Sequence, residues 1–257
     1  MDFLTPNIIN TTTMITVNSN TTTVANLFNP DVYFQYFSDG LNNDATISTI
    51  TITFDNTTSI SRIALLDTNI KSFTVFYNGS TASTFTLLNA NTTTSNYSTN
   101  TQENLYFKFS TVQASSITID MKTTQTANQE KRLGNLIISD TYYTLSRLPE
   151  AGGYKPKIES KQVVHKMSDG GTRIHNIRKK FALDISLDYL SETDRDNLKD
   201  IYELQNTFVF CPFGTTTGWD GVIFDSVWEG DFSFLEYSDN ASTSGFSGKI
   251  KLRESAG

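Results

Sequence analysis

Phe181-Ala-Leu183-Asp-Ile185-Ser-Leu187-Asp-Tyr189 runs straight into Leu190-Ser191-Glu-Thr-Asp194. Apolar and polar residues alternate without a break, the period-2 signature of a half-buried strand. Ser191 then opens a capping-box pattern, in which its hydroxyl accepts the backbone N–H three residues on and the first-turn acids meet the positive end of the helix dipole. Leu198, Ile201, Tyr202 and Gln205 recur at helical spacing behind that cap, so one stripe of the helix faces a core. Thr207-Phe-Val-Phe210 is apolar and β-prone, and Pro212 and Gly214 end it. The unit is therefore strand, capped amphipathic helix, strand.

Outward from this unit, the chain reads as β throughout. Residues 1–145 carry little charge and are dense in Thr, Ser, Asn, Ile, Phe and Tyr. Strand signals recur at 14–17, 47–54, 60–66, 73–77, 84–88, 105–109, 116–121 and 136–138, separated by polar turns and with no convincing helix. That spacing predicts an all-β sandwich. Asn89 to Gln102 is a low-complexity polar loop. Pro149, Gly152, Gly153 and Pro156 mark residues 146–157 as a linker. Beyond it, a strand from Ile158, an Asp169-Gly-Gly171 turn and a returning strand from Thr172 form a long hairpin. Aromatic-rich strands at 222–228 and 231–237 and a last strand at 246–253 complete the second domain, 158–257.

Composition narrows the function. The 257 residues carry a net charge of -7, and neither half is basic, which speaks against nucleic acid as a partner. No window approaches a membrane span and no signal peptide is expected. The seven Asn-x-Ser/Thr sequons follow from an Asn- and Thr-rich composition. A single cysteine, Cys211, excludes an intrachain disulfide and reads as a buried thiol. There is no nucleophile–base context, phosphate-cradling glycine loop or zinc-finger spacing, so neither an enzyme nor a cofactor is expected. The two histidines, His165 and His175, flank the hairpin turn and can share a metal if a third ligand such as Asp169 joins them; two exposed hairpin histidines are the plainer reading. Asp184 and Asp188 can pair as acid and base or simply line a solvated strand face.

Asn26-Leu-Phe28, the aromatic cluster Tyr33, Phe34 and Tyr36, and Thr49-Ile-Thr-Ile-Thr-Phe54 resemble the opening of discoidin-type, galactose-binding-like jelly rolls. Residues 61–66, 70–75 and 133–137 look like that family's later strands. The aromatic-cluster Trp and the terminal disulfide usual in the family are missing. The resemblance implies a loop-borne glycan or lipid-headgroup site, and Tyr33, Phe34 and Tyr36 are the candidates. Residues 155–255 resemble the tail-tube-like and distal-tail proteins of long-tailed bacteriophages, through the Gly170-Gly171 hairpin, Arg178-Lys-Lys-Phe-Ala-Leu183, the helix opening at Tyr189 and the ending Ser247-Gly-Lys-Ile-Lys-Leu252. This second resemblance implies a subunit of a phage tail-tip or baseplate ring, a hexamer or trimer made in a bacterial cytoplasm, with tube, hub or fibre proteins as neighbours. His165, Lys166, Arg173, His175, Arg178, Lys179, Lys180, Phe213 and Trp219 are its candidate interface residues. The alternative is a glycan-binding adhesin module.

Overall fold

The computed structural model describes residues 1–4, 7–29, 34–38, 43–79, 86–87, 92–93, 96–140, 142–150, 152–168, 170–212, 224–239 and 243–255. The protein is mainly β and divides into two compact units. Residues 1–144 and 208–224 form the first, and residues 145–207 and 225–256 the second.

Two long strands organise the first unit. Ser48–Thr68 and Leu105–Thr124 run antiparallel over nearly their whole lengths. Where the sequence suggests four short strands, each pair has merged into one, because the ladder shifts register between Thr53 and Thr58 and between Ile60 and Arg62. Such irregularities let a strand bend and pass from one layer of a sandwich to the other. In one layer, Ser48–Thr53 pairs with Ser116–Met121, flanked by Ile15–Val17 and by Ile70–Tyr77. In the other, Arg62–Leu65 lies between Lys108–Leu105 and the strand Arg132–Ser139, which in turn holds Tyr36–Phe37. Ile50, Ile52, Phe73, Ile119, Leu65, Phe107 and Leu136 fill the space between the layers. Thr49 and Thr51 face out and bond across the ladder, Thr49 Oγ1 donating to Asp120 Oδ1 at 2.7 Å.

The second layer is buried on both faces. Ile63, Leu65, Leu105, Phe107, Leu136 and Ile138 point into the main core, while Ala64, Leu66, Tyr106 and Ile137 point the other way. Asp2–Leu4 pairs with Tyr142–Thr144 on one side and Phe208–Cys211 on the other, and these strands contribute Leu4, Val209 and Cys211 to that second cluster. The strand ending at Phe210 thus pairs with the N-terminal residues, whereas the sequence groups it with the unit that precedes it. All four residues of Phe208–Cys211 are buried, so the strand needs cover on both faces, and sequence adjacency does not say which element supplies it. A 3-10 helix at Thr21–Phe28, burying Val24 and Leu27, is a further departure, since the polar Thr run masks its short apolar face.

In the second unit, Thr172–Leu190 is central, pairing Tyr154–Lys166 on one edge and Thr243–Glu254 on the other. Thr243–Glu254 also pairs with Phe234–Asp239 and, near its end, with Phe224–Trp228 through Ser226–Trp228. The last four residues of the expected spacer at 146–157 pair with Ile185–Ala182. Pro156 fits there because Tyr154–Lys166 is an edge strand, where a missing N–H costs no ladder bond. Ser191 caps the helix Glu192–Glu203 as its sequence requires, its Oγ accepting from Asp194 N at 3.1 Å. Leu198 and Ile201 are the buried apolar residues of that helix, and Tyr202 meets Trp228 edge to face at 5.6 Å.

Candidate functional site

Two surfaces carry the residues that sequence and structure single out, one on each unit.

On the first unit, the described residues of the aromatic cluster differ in burial. Tyr36 is fully buried in the sandwich core, with its hydroxyl donating to Ser19 O at 2.9 Å. It therefore offers no ring face to a sugar, which corrects the expectation for that residue. Phe34 is 53 % exposed, and Tyr33 lies outside the described residues. The ladder also brings out what the sequence alone did not mark. Phe37 is half-exposed and sits directly opposite Arg132. Arg132 Nη2 meets Asp67 Oδ1 at 3.2 Å, the Gln35 amide donates to Asp67 Oδ2, and the Asp67 N–H donates to Asn104 Oδ1 at 2.8 Å. Asp67 is at φ +52, and Gly134 leaves room for it, since a Cβ there would lie 2.9 Å from Asp67 Cβ. The result is an edge of planar polar groups beside exposed phenyl rings. No local sequence signal marks it, because Phe37, Asp67 and Arg132 come from three separate segments.

On the second unit, the hairpin projects beyond its sheet. Thr243–Glu254 pairs with Thr172–Leu190 only from Ala182 onward, so Ile158–Lys166 and Thr172–Phe181 pair only with each other among the described residues. Register assigns this arm two faces. Ile158, Val164 and Ile174 share one of them with Phe181, and Ile158 is 72 % and Ile174 58 % exposed. Val163, His165, Arg173 and His175 share the other, with Glu159 and Lys180 nearer the root. Glu159 is held there by Lys157 at 3.1 Å and Arg253 at 2.9 Å. Lys166 is exposed and lies opposite Thr172 on the apolar side. Arg178 and Lys179 occupy ladder positions opposite Lys161 and Ser160, with side chains outside the described set. Phe213 and Trp219 also lie outside the described residues. Between residues 158 and 181 six basic and two acidic residues give the arm a charge of +4, so the rest of a chain of net charge -7 carries -11.

A groove of about 790 Å³ elsewhere on this unit is lined by Asp188, Glu229, Asp231, Leu235, Lys249 and Lys251, among others. Asp184 is not set up as an acid–base partner of Asp188: it pairs with Lys157 at 3.4 Å. Among the described residues no group of three or more His, Cys, Asp or Glu is placed to hold a metal, and no helix is long and apolar enough to cross a membrane. Cys211 is buried in the cluster around Tyr106.

No protein-family model matches the sequence, and no curated protein sequence matches it either. In structure, the N-terminal half is similar to carbohydrate-binding modules. One is chitosan-binding module 1 from a chitosanase/glucanase of Paenibacillus sp. IK-5, at 11 % identity and TM-score 0.38, covering 49 % of this chain and 92 % of that one. Another is a pectin-binding carbohydrate-binding module, at 18 % identity and TM-score 0.34, covering 49 % and 90 %. The lectin domain of lectinolysin, in complex with Lewis b antigen, is similar at 13 % identity and TM-score 0.33, covering 49 % and 92 %.

Proposed function

We propose that the chain is a structural subunit that assembles with further copies of itself through the hairpin arm, and that its first unit carries a carbohydrate-binding surface. The observation that supports assembly is the exposed stripe of Ile158, Val164 and Ile174 on a two-stranded arm whose outer edges are unpaired among the described residues. A lone hairpin is marginal in water, and open edges and apolar stripes invite a partner. Charge favours a second copy as that partner: an arm of +4 meets a remainder of -11. Asp188, Glu229 and Asp231, around the groove, are acids within one unit that such an arm can meet. An arm given to one neighbour and received from another closes a cyclic ring.

The resemblance of residues 155–255 to tail-tube-like and distal-tail proteins gives this reading its specific form. The chain would be a ring component of a phage tail tip or baseplate, a hexamer or trimer, with tube, hub or fibre proteins above and below. Light scattering on the eluting chain tests assembly. The native chain should run as a closed oligomer that negative-stain microscopy shows as a ring, and Val164→Asp/Ile174→Asp should run as a folded monomer. An unchanged oligomer in that variant overturns the assembly reading.

A second reading, glycan binding by the first unit alone, is favoured by the edge where exposed Phe34 and Phe37 accompany Gln35, Asp67 and Arg132. Sugars stack C–H faces on aromatic rings while planar polar groups take their hydroxyls. A glycan array tests the binding surface, while the oligomeric state tests whether the unit works alone. Binding retained by the monomeric arm variant and lost in Phe34→Ala or Phe37→Ala supports the module; an array with no binding removes it.

A further inference from the structure

The arm places the two histidines of the chain side by side. His175 lies directly opposite Val163, and Arg173 directly opposite His165, so both imidazoles project from one face as diagonal neighbours. Their ring centroids are 5.5 Å apart and the ring planes cross at 77°. A zinc ion bound tetrahedrally by two imidazole nitrogens at about 2.0–2.1 Å brings the ring centroids to about 5 Å of each other. The pair therefore stands within a small side-chain adjustment of a chelate, with both rings at the surface.

We propose that His165 and His175 bind one divalent transition-metal ion of the class that imidazole favours, with zinc the best match to the spacing. Two protein ligands leave two tetrahedral positions for water or for a donor from another molecule. Among the described residues no third His, Cys, Asp or Glu joins them, and Asp169 of the turn lies outside those residues. Its electrostatic surroundings set a limit on affinity. Arg173 shares the face and opposes a dication, while the acid nearest in register, Glu159, is engaged by Lys157 and Arg253. Lys166 lies on the opposite face. The consequence is local: an ion held by one residue from each strand near the turn pins the ladder where, among the described residues, it has no other sheet contacts. Binding would thereby couple metal to the order of the arm.

The test uses the full chain without a polyhistidine tag, titrated with zinc chloride at neutral pH by calorimetry, and again with nickel. One ion per chain is expected, with affinity at least tenfold weaker in His165→Ala and equally so in His175→Ala. Hydrogen exchange across residues 163–175 should slow with zinc in the native chain and not in either variant. Two independent imidazoles would instead leave each variant with half the sites at unchanged affinity, which overturns the chelate. So does a native chain that binds no zinc, or one whose binding both variants retain.

Discussion

The Tyr106 hydroxyl donates to the Asp2 carboxylate at 3.0 Å, inside a cluster that Leu4, Leu66, Val209 and Cys211 close on the apolar side. Asp2 is buried and also accepts from Thr144 Oγ1 at 2.8 Å, so one carboxylate ties three strands together. Burial, with the Asp2 charge beside it, pushes the Tyr106 hydroxyl far above its ordinary range, and it remains a donor throughout.

Tyr106→Phe removes one of the donors to a buried carboxylate without opening a cavity. The expected cost is about 1–3 kcal/mol, since a buried charged acceptor then goes partly unsatisfied. Urea denaturation gives the value. A variant as stable as the native chain would show that Thr144 alone satisfies Asp2.

Tyr36 and Phe34 are separated by one residue and have opposite roles. Tyr36→Ala should destabilise the first unit by about 3–5 kcal/mol, as expected when a large aromatic leaves a packed core. Phe34→Ala should change stability by less than about 0.5 kcal/mol, because its ring is exposed. Thermal and urea denaturation of the two variants check this. Equal losses would mean that Phe34 is a packing residue and not a binding one.

The second unit was the more legible in outline. The alternation from Phe181 to Tyr189 and the Ser191 cap are local signals, and the structure honours both, down to the Ser191–Asp194 bond. Partners were not legible. Phe208–Cys211 carries a strand signature, yet nothing in it says that its ladder partner is Asp2–Leu4, some two hundred residues away. The long strands Ser48–Thr68 and Leu105–Thr124 read as four because Asp55, Asn56 and Thr57 are exposed where the ladder breaks register. At the candidate sites, the basic and histidine content of the arm is visible in the sequence, while its division into an apolar and a polar face depends on the register shift between Lys161 and Gln162. The Phe37–Arg132–Asp67 edge joins three distant segments, a relation that only the folded ladder supplies.

Phe234 lies directly opposite Gly248 and covers it: a Cβ added at Gly248 would come 2.4 Å from Phe234 Cδ1. The phenyl ring fills the place of the missing side chain, an arrangement that stabilises glycine in a strand. The ring is also in contact with Phe232 at 4.9 Å, which limits how far it can move aside. Gly248→Ala should therefore cost about 1–3 kcal/mol by overpacking, despite the gain in strand propensity. Combining it with Phe234→Ala should recover part of that loss. If the double variant is no better than the sum of the two single ones, the ring and the glycine are not coupled.

Asp225 is buried in the second unit, and burial pushes its carboxyl up to about 7, with the charge of Glu254 adding to the rise and hydrogen bonds from Ser255 and Ser226 opposing it. In the unfolded chain the same group titrates near 3.9. Because the folded value is the higher one, the fold binds this proton more tightly than the unfolded chain does. The contribution to stability is complete below about pH 4 and is lost as pH rises through about 7. A shift of about three pKa units corresponds to about 4 kcal/mol between the two limits, an upper figure for a group whose neighbours can relax. From this group alone, the second unit should be more stable at pH 5 than at pH 8. Asp225→Asn keeps the shape and removes the charge, so it should flatten that slope and raise stability at pH 8 relative to the native chain. Urea denaturation at a series of pH values, read from the Trp228 fluorescence of the second unit in a Trp219→Phe background, measures both. A native slope that persists in Asp225→Asn would assign the pH dependence to another group and leave Asp225 ionised in the fold.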